Sequence, residues 1–83
     1  SVASFNQRVQ QLGLGDYVEA FKVNGWNTFG TFAFCSSYVP GGDDSAILQV
    51  AETLLGVAES PLIPVVRRLF YEAYTLEVQG REN

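Results

Sequence analysis

PLIPVVRRLFYEAYTLEVQ, residues 61–79, is the longest uninterrupted helical pattern in the chain. Leu62, Val65, Val66, Leu69, Phe70, Ala73 and Leu76 recur at steps of three and four, the spacing of a buried helix face. Arg67, Arg68, Glu72 and Glu77 fall largely off that stripe. Arg68 and Glu72 are placed to pair one turn apart, in the weaker basic-before-acidic order. Ser60-Pro61 reads as a cap and first helical residue, but a proline inside the helix, at Pro64, would lose a backbone bond. A start near Pro64 after an extended lead-in resolves that conflict. Gly80 gives a stop, and residues 81–83 read as a tail or the start of a linker. Burying one large apolar side chain stabilises by about 1.5–3 kcal/mol, so a stripe this wide calls for the other segments to wrap around it.

Those segments also read as helices. In residues 2–12, Val2, Phe5, Val9 and Leu12 are spaced three and four apart, and Gly13 ends the run. Residues 16–23 make a short second helix with Tyr17, Val18 and Phe21 inward and an acid at its start, stopped by Asn24-Gly25. Trp26 then reads as a plug between helices, with an exposed binding anchor as the alternative. Asn27 or Thr28 caps a third helix over residues 28–38, with Phe29, Phe32 and Ala33 on one face and Phe34 and Tyr38 on the next. Residues 39–44, VPGGDD, are a loop. A fourth helix starts at Asp44 or Ser45, buries Ile47, Leu48, Ala51, Leu54 and Leu55, and closes at Gly56. The expected fold is all-α, a compact five-helix bundle in one domain over residues 1–80, with the long C-terminal helix as its core.

Composition narrows function. The 83 residues carry 17% charged side chains, below the roughly 25% of an average soluble domain, and 13% aromatics. Few charges and many rings point to apolar surface left over for a partner. The net charge of −4 and five scattered basic residues give no patch for phosphates. No apolar run is long enough for a membrane span. The absence of histidine removes the commonest general base and metal ligand. A single cysteine, Cys35, forms no internal disulfide, which fits a reducing, cytoplasmic or otherwise intracellular setting. A first residue Ser1, with no signal-peptide pattern, leads to the expectation of a piece of a longer protein.

Chemistry-bearing patterns are sparse. Gly13-Leu14-Gly15 follows a helix and lacks the third glycine of a dinucleotide fingerprint, so it reads as helix punctuation. Asp43-Asp44 lacks the further oxygens of a calcium loop and reads as helix capping. Cys35 beside Ser36 and Ser37 has neither a histidine base nor a second cysteine. No cofactor, metal or catalytic set is expected.

Leu12-Gly13-Leu14, the Tyr17-to-Phe21 helix and the Asn24-Gly25-Trp26 turn together resemble the front half of a sterile alpha motif (SAM) domain over residues 12–34. That resemblance implies a five-helix interaction module prone to self-association, with no catalytic residues. TFGTFAF (residues 28–34) with the later VVRRLFYEAYTL (residues 65–76) is similar to segments of mobile-element-like proteins of marine protists. This second resemblance implies an accessory domain of a larger polyprotein that handles nucleic acid elsewhere.

The expected role is a non-catalytic protein–protein interaction or self-association domain, forming a homo-oligomer or binding another protein. Its contacts would be Trp26, Tyr38, Tyr71 and Tyr74, with Arg67 and Arg68 as a polar rim. The alternatives are the accessory domain of a nucleic-acid-processing polyprotein and a small-ligand binder with an aromatic-lined pocket.

Overall fold

A computed structural model describes residues 1–80 and contains no strand among them. The proposed tail at residues 81–83 lies outside the described residues. Five helices follow in order: α1 (Val2–Gln11), α2 (Val18–Val23), α3 (Phe29–Ala33), α4 (Ser45–Leu55) and α5 (Ile63–Val78). A 3-10 turn at Gly15–Tyr17 leads into α2, so that helix begins two residues later than the acid at Asp16 suggests. The Cα radius of gyration is 11.8 Å, close to the value of about 12 Å for a compact domain of this length.

Local chemistry sets the boundaries. Ser1 and Thr28 each form a capping box with the residue three positions on, Ser4 and Thr31. Thr31, a poor helix former by its branching, is therefore useful as the third helical residue of α3. Gly13 and Gly25 end α1 and α2 at φ +82° and +77°. Each is followed by an apolar residue whose N–H reaches back five positions, Leu14 to the Val9 carbonyl (2.9 Å) and Trp26 to the Phe21 carbonyl (2.8 Å). The companion bonds from Gly13 to Gln10 and from Gly25 to Lys22, both 3.0 Å, complete the same terminal motif twice. This geometry folds Leu14 fully into the core and lays Trp26 half-buried against Phe32, with ring centroids 6.4 Å apart.

The conflict over Pro64 is settled by the start of α5. The helix begins at Ile63 after the half-in residue Leu62, so Pro64 sits in the first turn, where no N–H partner is required. The Ser60 hydroxyl accepts the Leu62 N–H at 3.1 Å. The third helix is much shorter than expected, five residues instead of eleven. Beyond Ala33 the chain turns, with the Ser36 hydroxyl accepting the Tyr38 N–H at 3.2 Å. Serine side chains that bind local backbone in this way compete with helix continuation.

One core cluster draws on all five helices. Phe32 stands in its middle, its ring edge-on to Phe5 (5.9 Å), Phe21 (5.3 Å) and Phe70 (5.7 Å). α3 packs on α5 more extensively than any other two elements pack. The long helix supplies Val66, Leu69, Phe70 and Ala73 as fully buried residues, as its periodicity predicts. Several inward assignments need correction. Leu76 is 51% exposed and walls an open groove beside Phe29 instead of closing on the core. Val2, at the first position of α1, is exposed. In α4 the buried line runs Ile47, Val50, Ala51 and Leu54, so Val50 replaces Leu48, which faces out. Phe34 is also exposed, because α3 has ended before it.

These placements separate two large apolar positions, Phe32 and Leu76, that periodicity treats alike. Phe32→Ala is expected to lose about 3–5 kcal/mol of unfolding free energy, whereas Leu76→Ala stays within about 0.5 kcal/mol of wild type. Urea denaturation followed by far-UV circular dichroism measures both.

Candidate interaction surface

Core packing takes up most of the eleven aromatic side chains implied by six Phe, four Tyr and one Trp. Tyr38 is among them. At 8% exposure, with its ring 5.2 Å from Phe70, it is a core residue and not a ring left over for a partner. The reason is the short α3, which lets the following turn bring Tyr38 back over α5. Tyr74 is half-buried and stacked on Phe70 at 6.1 Å, and Trp26 is half-buried at the end of α2. Tyr71 alone of the expected contact aromatics stands well out, 57% exposed.

Tyr71 forms a ridge between two open surface grooves. On one side α1, α3 and α5 enclose about 500 Å³, with Phe29 as floor and Thr75, Leu76 and Ser4 along the walls. On the other side about 440 Å³ is bounded by Tyr38, Pro40, Pro64, Arg67 and Arg68. Tyr71 lines both. Helical spacing places Pro64, Arg68, Tyr71, Thr75 and Val78 along the outer edge of α5, and Pro64, Arg68, Tyr71 and Val78 are exposed.

Ion pairs fix the flanks. Arg8 grips Glu72 with two bonds, Nε to Oε2 at 2.8 Å and Nη2 to Oε1 at 2.6 Å, joining α1 to α5 across 64 residues of sequence. The Arg8 hydrogen bond holds the Glu72 carboxyl below its ordinary value of 4.5, against an opposing push from desolvation. The expected Arg68–Glu72 pair is present but longer, 3.5 Å, and Arg68 remains 66% exposed. Arg67 donates to Asp44 at 2.8 Å, an interaction that raises the guanidinium's affinity for its proton. Asp44 thus does not cap α4 with its side chain. Asp43 does the local work, accepting the Ser45 N–H at 2.7 Å, and this backbone bond lowers its pKa.

Cys35 is half-buried, and burial raises its thiol pKa, which keeps it protonated and weakly nucleophilic. Among the described residues no three of cysteine, aspartate and glutamate converge as a metal-ligand set, and no helix is long and apolar enough to cross a membrane. Periodicity missed Leu76 and Phe34 as exposed apolar groups. It set Leu76 on the buried stripe of α5 and Phe34 on a neighbouring face of α3 with Tyr38, and the Ser36-Ser37 pair beyond the early end of α3 is the signal that could have freed Phe34. No family model, curated protein or solved structure matches this chain.

The Arg8–Glu72 clamp has a pH signature. A carboxyl with a lowered folded-state pKa contributes stability that is present above its unfolded value and lost as pH falls through the folded value. Wild type should therefore melt at a higher temperature than Glu72→Gln at pH 7, with the gap closing as pH falls below about 4.5, the ordinary glutamate value. Paired thermal melts from pH 7 to pH 2.5 check this, and a constant gap would contradict it.

Proposed function

We propose that this domain is a non-catalytic protein–protein interaction module that self-associates through the outer face of α5. The observation that carries the proposal is Tyr71, an exposed aromatic set between two grooves, one of them floored by Phe29 and walled by Leu76. Tyrosine at the centre of an apolar patch is a frequent anchor, because it brings a large contact area with few rotors to freeze. Leu76 and Val78, 51% and 39% exposed, extend the apolar area along the same helix. Phe34 is equally exposed but lines neither groove.

The electrostatics support the same reading. Arg8, Arg67 and Arg68 are each held by a carboxylate on the protein itself, which leaves little basic charge for phosphates. That weighs against an accessory role on nucleic acid. A small-ligand site is a second reading, favoured by the groove of about 440 Å³ with its Tyr38, Phe70 and Tyr71 walls, a size within the usual range for such sites. Its openness favours a partner surface instead.

Light-scattering mass after size exclusion, over a concentration series, tests the proposal. A species heavier than monomer is expected at high concentration. Tyr71→Ala should raise its dissociation constant at least about tenfold, while Phe34→Ala changes it little. A monomer at every concentration would overturn self-association, and a greater effect of Phe34→Ala would move the surface off α5.

A further inference from the structure

Residues 34–44 join α3 to α4, a longer path than the roughly two to eight residues usual between helices of a bundle. The hydrogen bonds that shape this connection are local. The Ser36 hydroxyl accepts the Tyr38 N–H at 3.2 Å, the Val39 carbonyl accepts the Gly42 N–H at 3.0 Å, and the Asp43 carboxylate accepts the Ser45 N–H at 2.7 Å. Bonds of this kind give the segment its form but do not tie it to the helices. Over residues 36–44, Tyr38 is the one buried residue.

Two side chains fasten the segment to α5. Tyr38 lays its ring against Phe70, with centroids 5.2 Å apart, and Asp44 accepts from Arg67 at 2.8 Å. The second contact is open to water on both sides, and an ion pair so placed shifts an equilibrium by about fivefold at most. Both fastenings meet at Arg67, whose pKa is raised most by Asp44 and further by Tyr38. Docking therefore depends mainly on one ring. A segment held by so few buried contacts opens at a lower free energy than the fold as a whole.

We propose that residues 36–44 form a strap over α5 that opens as one unit while the five helices stay folded, with Tyr38 as its latch and the Arg67–Asp44 pair as its clasp. The strap is one wall of the groove of about 440 Å³, where Tyr38, Pro40 and Gly41 stand across from Pro64, Arg67 and Tyr71 of α5. Opening removes that wall and bares the face of Phe70 that Tyr38 covers. The strap thus switches the groove between a narrow closed form and an open form with a wider apolar floor. This switch is independent of whether the chain self-associates.

Limited proteolysis of the whole chain with thermolysin, which cuts before large apolar residues, tests the strap. Intact-mass spectrometry reports the first cut at each bond, and each rate is divided by that of the same bond in the urea-unfolded chain. When cleavage is slower than closing, the rate tracks the open population. In wild type the cut before Val39 should change little with urea well below the unfolding midpoint. Cuts before Leu69, inside α5, should rise steeply, because the slope follows the surface exposed on opening. Equal slopes at the two bonds would mean that the strap leaves only with global unfolding, and would overturn the proposal. Tyr38→Ala should speed the cut before Val39 at least about tenfold with helix content retained by circular dichroism. Arg67→Gln, which leaves the core untouched, should speed it by about two- to fivefold. The cut before Val57, an exposed site in the separate connection between α4 and α5, should hold its rate in both variants. An unchanged cut before Val39 in both variants, a change of equal size before Val57, or loss of the helices in Tyr38→Ala overturns the strap.

Discussion

Phe32 is the side chain on which the rest of the structure depends. It is fully buried on a helix of five residues, and its ring meets rings from α1, α2, α5 and the turn after α2. A single helical turn and a half has no stability of its own in water, because nucleation costs more than so few hydrogen bonds return. α3 therefore exists because Phe32 and Ala33 are packed, and the packing exists because α3 holds Phe32 edge-on to three phenylalanines. Each such aromatic pair adds about 0.5–1.5 kcal/mol beyond the area it removes from water. Phe5 extends the same network to Phe29, and Phe70 extends it to Tyr38 and Tyr74. A chain with few charges can thus form a core at this size by making rings pack on rings.

The long C-terminal helix is the wall against which this network is built, and its inner face was legible in the sequence. So were the glycine stops, since Gly13 and Gly25 are each followed by an apolar residue that returns to the core. Where periodicity failed, the reason lies in tertiary reach. A stripe tells which face of a helix is apolar but not whether a neighbour closes over each position on it, and so Leu76 and Val2 are exposed although their spacing promised cover. In α4 the choice between Leu48 and Val50 turns on a rotation of the helix that composition does not fix. The termination of α3 put Tyr38, expected at a partner surface, in the core, and separated it from Phe34, expected on the same helix face and found in solvent. The Arg8–Glu72 clamp joins groups 64 positions apart, and no local pattern encodes such a pairing.

The candidate surface was half legible for the same reasons. Tyr71 falls off the apolar stripe of α5 by simple spacing, and it is exposed as expected. The grooves beside it were not visible in the sequence, because each is made by elements from distant parts of the chain: α1 and α3 on one side, the loop around Pro40 on the other. Core and surface are linked through this helix. Its inner face closes on Phe32, its two ion pairs fix it to α1 and to the start of α4, and its outer edge is left with an aromatic that no neighbour covers.

The proposed division of α5 into a core face and a partner face is tested most directly by amide and methyl NMR spectra recorded along a dilution series. Concentration-dependent shifts should gather at Tyr71, Thr75, Leu76 and Phe29, while Leu69, Ala73 and Phe32 hold their positions, since the proposed self-association leaves the core unchanged. Shifts centred instead on Phe34 or Val57, or spectra that do not change with concentration at all, would contradict the account.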